Sequence, residues 1–323
     1  MLFSIIIPVY NARETILDTI KSIMKQTYDN FEIIVVDDGS TDDTYGLVET
    51  LSNSKILLLK QENKRQGAAR NYGVSHSTGD FLLFVDADDS IDVDLLKTIN
   101  DQLKTSDNRI DAVYYDIKRI YPAREQIIKF PIDIVNKVKN EDPTRVLGLA
   151  TPCNAAFSRE FLKRFKIQFV EQVYFEDISF MVDTLFYART IEYVPNVYYH
   201  YNILEKSTVR SSDGAINLDV IENIEHFKDK LRTSHPDELT YLSQKYLIFE
   251  ACLRILDSKD TYYVKKELIA KLRSYYLENV NLNFKNEYYQ DSSKLFKLVV
   301  NLVINRHVFI LSVLNKLRRL LNA

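Results

Sequence analysis

The chain has 323 residues, 46% of them hydrophobic, which is enough to bury a large core and to hold one full catalytic domain plus a smaller unit. A formal net charge of -3 with both signs mixed supplies no overall basic field, so nucleic acid is not expected as a partner. Cys153 and Cys252 stand far apart and outside any CxxC, which argues against a disulfide framework or a thiolate zinc site and for two buried, reduced thiols.

Met1 runs straight into Ser4-Ile5-Ile6-Ile7-Pro8, without the basic region, apolar core and cleavage site of a signal peptide. No run of about 18 uncharged apolar residues occurs, so a cytoplasmic protein without a membrane-spanning helix is expected. Phe3 to Pro8, Phe31 to Val36, Lys55 to Lys60 and Asp80 to Val85 are short β-branched and aromatic runs and read as buried strands. Between them lie helical patterns at Ala12 to Gln26, Thr41 to Leu51 and Gly67 to Ser77. Strand then helix, three times over, predicts an α/β, Rossmann-like, mainly parallel sheet. Further strands are expected at about Ala112 to Tyr121, Gln126 to Phe130 and Ile191 to Tyr201, with a helix near Asp177 to Ala188. From Asn217 onward the pattern is helical, with a break at Pro236, so the chain divides into a catalytic domain over 1–212 and a helical region over 213–323.

In such sheets the ligand crevice lies beyond the carboxyl ends of the strands. Those ends here are Pro8-Val9-Tyr10-Asn11, Asp37-Asp38-Gly39-Ser40, Gln61-Glu62-Asn63-Lys64 and Asp86-Ala87-Asp88-Asp89. An Asp-x-Asp at a strand end puts two carboxylates on one side of the backbone, and three such groups repel unless a divalent cation such as Mg²⁺ or Mn²⁺ intervenes. The bland alternative is a polar turn before a helix starting near Asp92 or Asp94. Ser40 or Thr41 is expected to cap the second helix, which leaves Asp38 free to accept a uracil imide N–H, with Tyr10 stacking on the base or else packing half-buried.

Together, Ser4-Ile5-Ile6-Ile7-Pro8-Val9-Tyr10-Asn11, Val35-Val36-Asp37-Asp38-Gly39-Ser40-Thr41-Asp42, Gly67-Ala68-Ala69-Arg70-Asn71 and Asp86-Ala87-Asp88-Asp89 resemble glycosyltransferase family two, inverting enzymes of the GT-A fold. The resemblance covers about the first 210 residues. It implies a UDP-sugar donor, with Pro8, Tyr10 and Asp38 at the uridine, Asn63 and Arg70 lining the donor site, Asp86 with Ala87 near the ribose, and Asp88 on Mn²⁺ or Mg²⁺. Family members place the base in a downstream Glu-Asp pair, which puts Asp177 as base and Glu176 as acceptor ligand or partner, whereas a pair opening a helix can also serve only as its cap. The closing segment around Tyr198 to Ser207 departs at Asn202, where an arginine is expected, so Lys206, or else His200 or Arg210, is left to neutralise the diphosphate. The acceptor would be a saccharide, a lipid-linked saccharide or a glycoprotein, in bacterial surface polysaccharide or glycoconjugate synthesis.

From Lys294 to the end there is no acidic residue, and Lys294, Lys297, Asn301, Asn305, Ser312, Asn315 and Arg319 form a polar stripe beside a wide apolar face. Such a basic amphipathic helix can lie on an anionic membrane surface, or dock on its own domain or in a homodimer. A dinucleotide-dependent oxidoreductase would need a glycine-rich first turn, and no G-x-G occurs. A non-catalytic scaffold that kept the fold is the rival from another class.

Overall fold

The computed structural model describes residues 1–106, 109–122, 124–133, 151–203, 213–280 and 285–321. Two compact units emerge, one of residues 1–172 with 176–204, the other of 173–175 with 205–323.

The first unit is built on a sheet ordered β3-β2-β1-β4-β8-β6-β9-β5, with β7 also paired to β6. Strands β1 (Phe3–Val9), β2 (Phe31–Asp37), β3 (Ile56–Lys60) and β4 (Phe81–Phe84) run parallel, as expected. β1 is buried along its whole length because helices cover both of its faces. Phe3, Ile5, Ile7 and Val9 join Ile16, Ile20 and Ile23 of α1 (Ile16–Met24) in one core cluster. On the opposite face Ile6 meets Gly73 of α3 (Arg65–His76), so closely that a Cβ there would stand 2.5 Å from Ile6 Cγ2. Between these helices α2 (Thr44–Glu49) links β2 to β3. Pro8 sits where β1 has parted from β4, whose pairing ends at Ile6 with Phe84, so its missing N–H costs the sheet nothing.

Beyond β4 the sheet is mixed rather than parallel. β8 (Ala155–Ser158) enters antiparallel between β4 and β6 (Ala112–Tyr121), and β9 (Ile191–Asn202) runs parallel to β6. β5 (Ser90–Ile91) pairs antiparallel with β9, and β7 (Arg124–Ile128) forms a hairpin with β6, two residues earlier than expected. The helices α4 (Leu95–Thr105), α5 (Arg159–Phe165) and α6 (Asp177–Tyr187) complete this unit. Both cysteines are buried and free, with the Cys153 thiol pushed well up by burial.

The second unit is helical, as expected from Asn217 onward: α7 (Val220–Ser234), α8 (Pro236–Ser243), a π-helical stretch (Gln244–Ala251), α9 (Cys252–Asp257), α10 (Tyr262–Asn279), α11 (Glu287–Asp291), α12 (Lys294–Ile304) and α13 (Val308–Leu321). Pro236 opens α8 at a position where its absent N–H is harmless. The single terminal helix expected from Lys294 is two helices. Arg306 adopts φ 64°, and the N–H groups of Asn305, Arg306 and His307 turn back to the carbonyls of Asn301, Val303 and Leu302, a left-handed helix stop made without glycine.

Candidate active site

The chain runs outward from β1 to β2 to β3 and then returns to β4 on the other side of β1, so the strand order reverses between β1 and β4. A crevice is expected at the carboxyl ends flanking that reversal, and the candidate residues stand there.

On the β1 and β2 side, Asn11 in a left-handed conformation (φ 51°) ties the two loops together. Its Oδ1 accepts from Thr41 N at 2.8 Å and Asp42 N at 3.3 Å, while its own N–H donates to Ser40 Oγ. Ser40 and Thr41 are thus spent on this loop. Neither caps α2, whose Thr44 N–H is taken by Asp42 Oδ1. Tyr10 is 50% exposed at the lip, which fits both the half-buried packing alternative and a ring with one side available for stacking. Asp38 is buried, and its Oδ1 accepts from Gln61 Nε2 at 2.7 Å and from the Lys64 N–H at 2.8 Å. Asp38 is therefore not left free, as the sequence suggested, but holds the loop after β3 through Oδ1. Asn63 is exposed on that loop, and Gly39, at φ +74°, lets the turn after β2 approach it, since a Cβ would stand 2.9 Å from Asn63 N.

The acidic turn after β4 is held from three sides. Ala87 O accepts from Thr19 Oγ1 of α1, the Asp86 N–H donates to Tyr199 Oη of β9, and Asp88 O accepts from Asn202 Nδ2. Tyr199 Oη in turn donates to Asp89 Oδ2 at 2.6 Å, and Asn202 N donates to Asp89 Oδ1 at 2.8 Å. Asp89 is thereby turned into the fold, where burial and the Asp86 charge push its carboxyl up to about 8. The expectation of three converging carboxylates is corrected, since Asp89 turns away into the fold. Among the described residues no group of three His, Cys, Asp or Glu side chains gathers as a cage. Asp88 is half-buried, makes no ion pair among the described residues, and is pushed up to about 6 by burial and by Asp86. A carboxylate made costly in this way is relieved by a cation. The donor set fits Mg²⁺ or Mn²⁺, which takes one or two protein carboxylates and fills its shell with phosphate and water oxygens.

Arg70 links this turn to the Glu-Asp pair. It is 3% exposed, with Nη2 2.9 Å from Asp86 Oδ1 and Nη1 2.5 Å from Glu176 Oε1, and its guanidinium lies over the Phe169 ring. Burial works against its charge, but Asp86 and Glu176 hold it firmly protonated, with Asp177 adding to their field. The string Gly67-Ala68-Ala69-Arg70-Asn71 explains how α3 comes so near. A Cβ on Gly67 would stand 2.4 Å from Val170 O and 3.1 Å from Glu176 Cγ, and Asn71 clamps Phe169 by bonds to its O and from its N. Phe169 stacks on Phe180 with centroids 3.9 Å apart, which fixes the floor beneath Arg70.

Glu176 precedes α6 but makes no side-chain cap bond, so the capping alternative does not describe it. Its buried carboxylate is committed to Arg70, which suits the partner role rather than that of acceptor ligand. Asp177, half-buried, opens the first turn of α6. His200 of β9 pairs with Ser90 of β5, and burial and Lys118 lower its imidazole from the ordinary value. Lys206 and Arg210 lie outside the described residues. Sequence reasoning missed Asn11, Tyr199 and Asn202 as builders of the site. The signal within reach was Asn202 itself, a polar residue closing the aromatic strand end Tyr198 to Tyr201.

The family model for glycosyl transferase family 2 matches residues 4–165, from β1 to the end of α5, so Glu176 and Asp177 lie beyond it. EpsH of Bacillus subtilis (strain 168) is 29% identical over 231 residues, which cover 64% of this chain and 62% of that protein, so the match spans less than two thirds of that relative's length. S. aureus TarS 1–349, in complex with UDP-GlcNAc, shares 18% identity at a TM-score of 0.58, with 99% of this chain and 92% of that chain covered. The mannosyltransferase PcManGT from Pyrobaculum calidifontis, in complex with GDP-Man and Mn²⁺, shares 19% identity at a TM-score of 0.53, with 98% and 86% covered. At such identities the likeness is one of fold, and the fold is GT-A.

Proposed function

Because this chain belongs to glycosyl transferase family 2, we propose that it is an inverting glycosyltransferase that moves a sugar from a UDP-sugar to an acceptor hydroxyl. The observation that carries the reading is the Arg70 bridge. One buried guanidinium joins the acidic turn after β4 to the Glu-Asp pair at α6, so donor-side and base-side carboxylates belong to one rigid assembly.

Tyr10 and Asp38 take the uridine beside Pro8, with Asn63 on the loop opposite, and Asp86 and Ala87 lie toward the ribose. Asp88 would hold Mn²⁺ or Mg²⁺, which when bound supplies positive charge to the departing diphosphate. Asp177 accepts the acceptor's hydroxyl proton as that oxygen bonds to the anomeric carbon. The bond from that carbon to the diphosphate oxygen breaks, and UDP leaves with the electron pair. Glu176 keeps Arg70 in place, and Lys206 is the basic residue that the sequence offers to the leaving group. UDP-GlcNAc in TarS supports a uridine donor, and Mn²⁺ in PcManGT supports a divalent cation. The acceptor we infer is a saccharide, lipid-linked saccharide or glycoprotein of bacterial surface polysaccharide or glycoconjugate synthesis.

The test combines a nucleotide-sugar screen, read as metal-dependent release of nucleoside diphosphate, with Asp88→Ala and Asp177→Asn. Asp88→Ala should abolish the divalent-dependent part of UDP binding. Asp177→Asn, which can still serve a helix N-terminus, should keep UDP affinity and lose about 10²- to 10⁴-fold in transfer. Transfer within about threefold of wild type would remove Asp177 as base, and a wild-type chain that releases no nucleoside diphosphate from any donor would favour the scaffold alternative.

A further inference from the structure

The last helix faces the opposite way from one docked by its apolar side. In α13 the inward positions are Val308, Leu311 and Asn315, and Asn315 Nδ2 donates to Asp257 Oδ1 at 2.7 Å. The outward positions are apolar: Phe309 is 67% exposed, Ile310 47%, Val313 42%, Leu314 38% and Leu317 50%. Ile310, Val313, Leu314 and Leu317 follow helical spacing, so they form one continuous stripe. Of the polar stripe read from the sequence, Lys294, Asn301 and Asn305 are exposed and only Asn315 is buried, while the hydrophobic side is largely packed along α12 and largely bare along α13.

This stripe continues into a second element of the same unit. The Phe309 ring meets Tyr262 edge-on with centroids 6.4 Å apart, and Tyr262 meets Tyr263, which is 82% exposed at the start of α10. Lys266, Arg306 and Lys316 are exposed on the same stretches of chain. Residues 292–323 contain no acidic side chain, but do contain Lys294, Lys297, Arg306, Lys316, Arg318 and Arg319. No described helix is long and apolar enough to cross a membrane.

We propose that the outward face of α13, with Tyr262 and Tyr263, rests on an anionic lipid surface. An apolar stripe flanked by cations and ended by tyrosines is the composition that settles at a headgroup boundary, with Phe309 and Leu314 below it and the basic groups at its level. Charge decides against the second copy as occupant. A twofold interface would bring together two copies of a patch that each carry an excess of cations, whereas an anionic bilayer complements them. The proposal stands on this surface alone and does not depend on the donor or base assignments.

The test is sedimentation of the full chain with vesicles of phosphatidylcholine alone and of phosphatidylcholine mixed with phosphatidylglycerol, at low and high salt. Binding should favour the mixed vesicles by about tenfold or more and weaken with salt. F309S/L314S should lose about tenfold in binding to them with its circular dichroism and thermal midpoint unchanged. Should that variant fail to fold, R306E/K316E, which alters only exposed charges, should lose the preference for anionic vesicles. The proposal is overturned if the wild-type chain binds no vesicle, or if either folded variant binds mixed vesicles as the wild type does. It is overturned too if the chain is a dimer that F309S/L314S dissociates while vesicle binding is absent.

Discussion

Removing the Arg70 charge tests the assembly at its centre. Arg70→Met keeps most of the side chain's volume but leaves Glu176 and Asp86, whose side chains are 7% and 24% exposed, without their shared cation. Breaking a buried pair from one side costs about 3–5 kcal/mol, which for a unit of this size lowers the thermal midpoint by roughly 6–20 °C. The loss should fall unevenly. Asp86 keeps a bond from Gln66 Nε2 at 2.8 Å, while Glu176 is left in a site where burial already pushes its carboxyl up. In the variant Glu176 should therefore take a proton. A carboxyl raised in the folded state contributes stability below the ordinary glutamate value of about 4.3 and loses it as pH rises through the folded value. The deficit against wild type should then be smaller near about pH 5 than near about pH 8. Arg70→Lys, which keeps a charge but cannot span both carboxylates, should fall between the two. Thermal midpoints across that range decide the matter: a deficit under about 1 kcal/mol would refute the bridge as a source of stability, and a deficit that does not change with pH would refute the protonation of Glu176.

Gly67→Ala should destabilise by about 1–3 kcal/mol and slow transfer, because the new methyl meets the Val170 carbonyl at 2.4 Å and presses on Glu176; wild-type urea midpoint and rate together would show that the approach of α3 is not limiting. Tyr199→Phe removes the donor to Asp89 and the acceptor for the Asp86 N–H; it should cost about 1–3 kcal/mol and weaken UDP binding in the presence of Mn²⁺ more than in its absence, as calorimetry with and without the metal can determine. Glu32→Gln should lower stability at neutral pH by at most about 1 kcal/mol, given solvent screening. Burial raises the Glu32 carboxyl, but bonds from Ser4 and Thr78 hold it below its ordinary value, so the difference from wild type should persist above about pH 4.5 and vanish as pH falls through the folded value; a difference that grows in acid would contradict this.

The parallel half of the sheet was legible because each of its strands is a β-branched or aromatic run that stops at polar turn residues. β8 was not, since Ala155-Ala156-Phe157-Ser158 has little strand propensity of its own. It is extended because Leu82 and Val113 offer paired backbones on either side, a tertiary cause that no local window contains. The same blindness joined α12 to α13. Helical spacing runs on through residues 305–307, and the stop comes from a left-handed arginine rather than from glycine or proline.

At the site, the sequence displays Asp86, Asp88 and Asp89 as near equals, and Glu176 and Asp177 likewise. What divides them arrives from far along the chain. Tyr199 and Asn202, more than a hundred residues on, turn Asp89 into the fold, while the Asp88 side chain stays half-buried and makes no ion pair among the described residues. Arg70 draws Glu176 inward and leaves Asp177 at the start of its helix. Asn202 also alters the charge balance. Where an arginine was expected, a neutral amide spends its donors on the acidic turn, and Arg70 is already neutralised by Asp86 and Glu176. Among the described residues, the carboxylates of Asp38 and Asp88 make no ion pair, and Asp86 shares its one cation with Glu176. A diphosphate entering this crevice meets repulsion unless positive charge comes with it, which is the physical reason to expect donor binding here to depend on a divalent ion more steeply than on any one side chain.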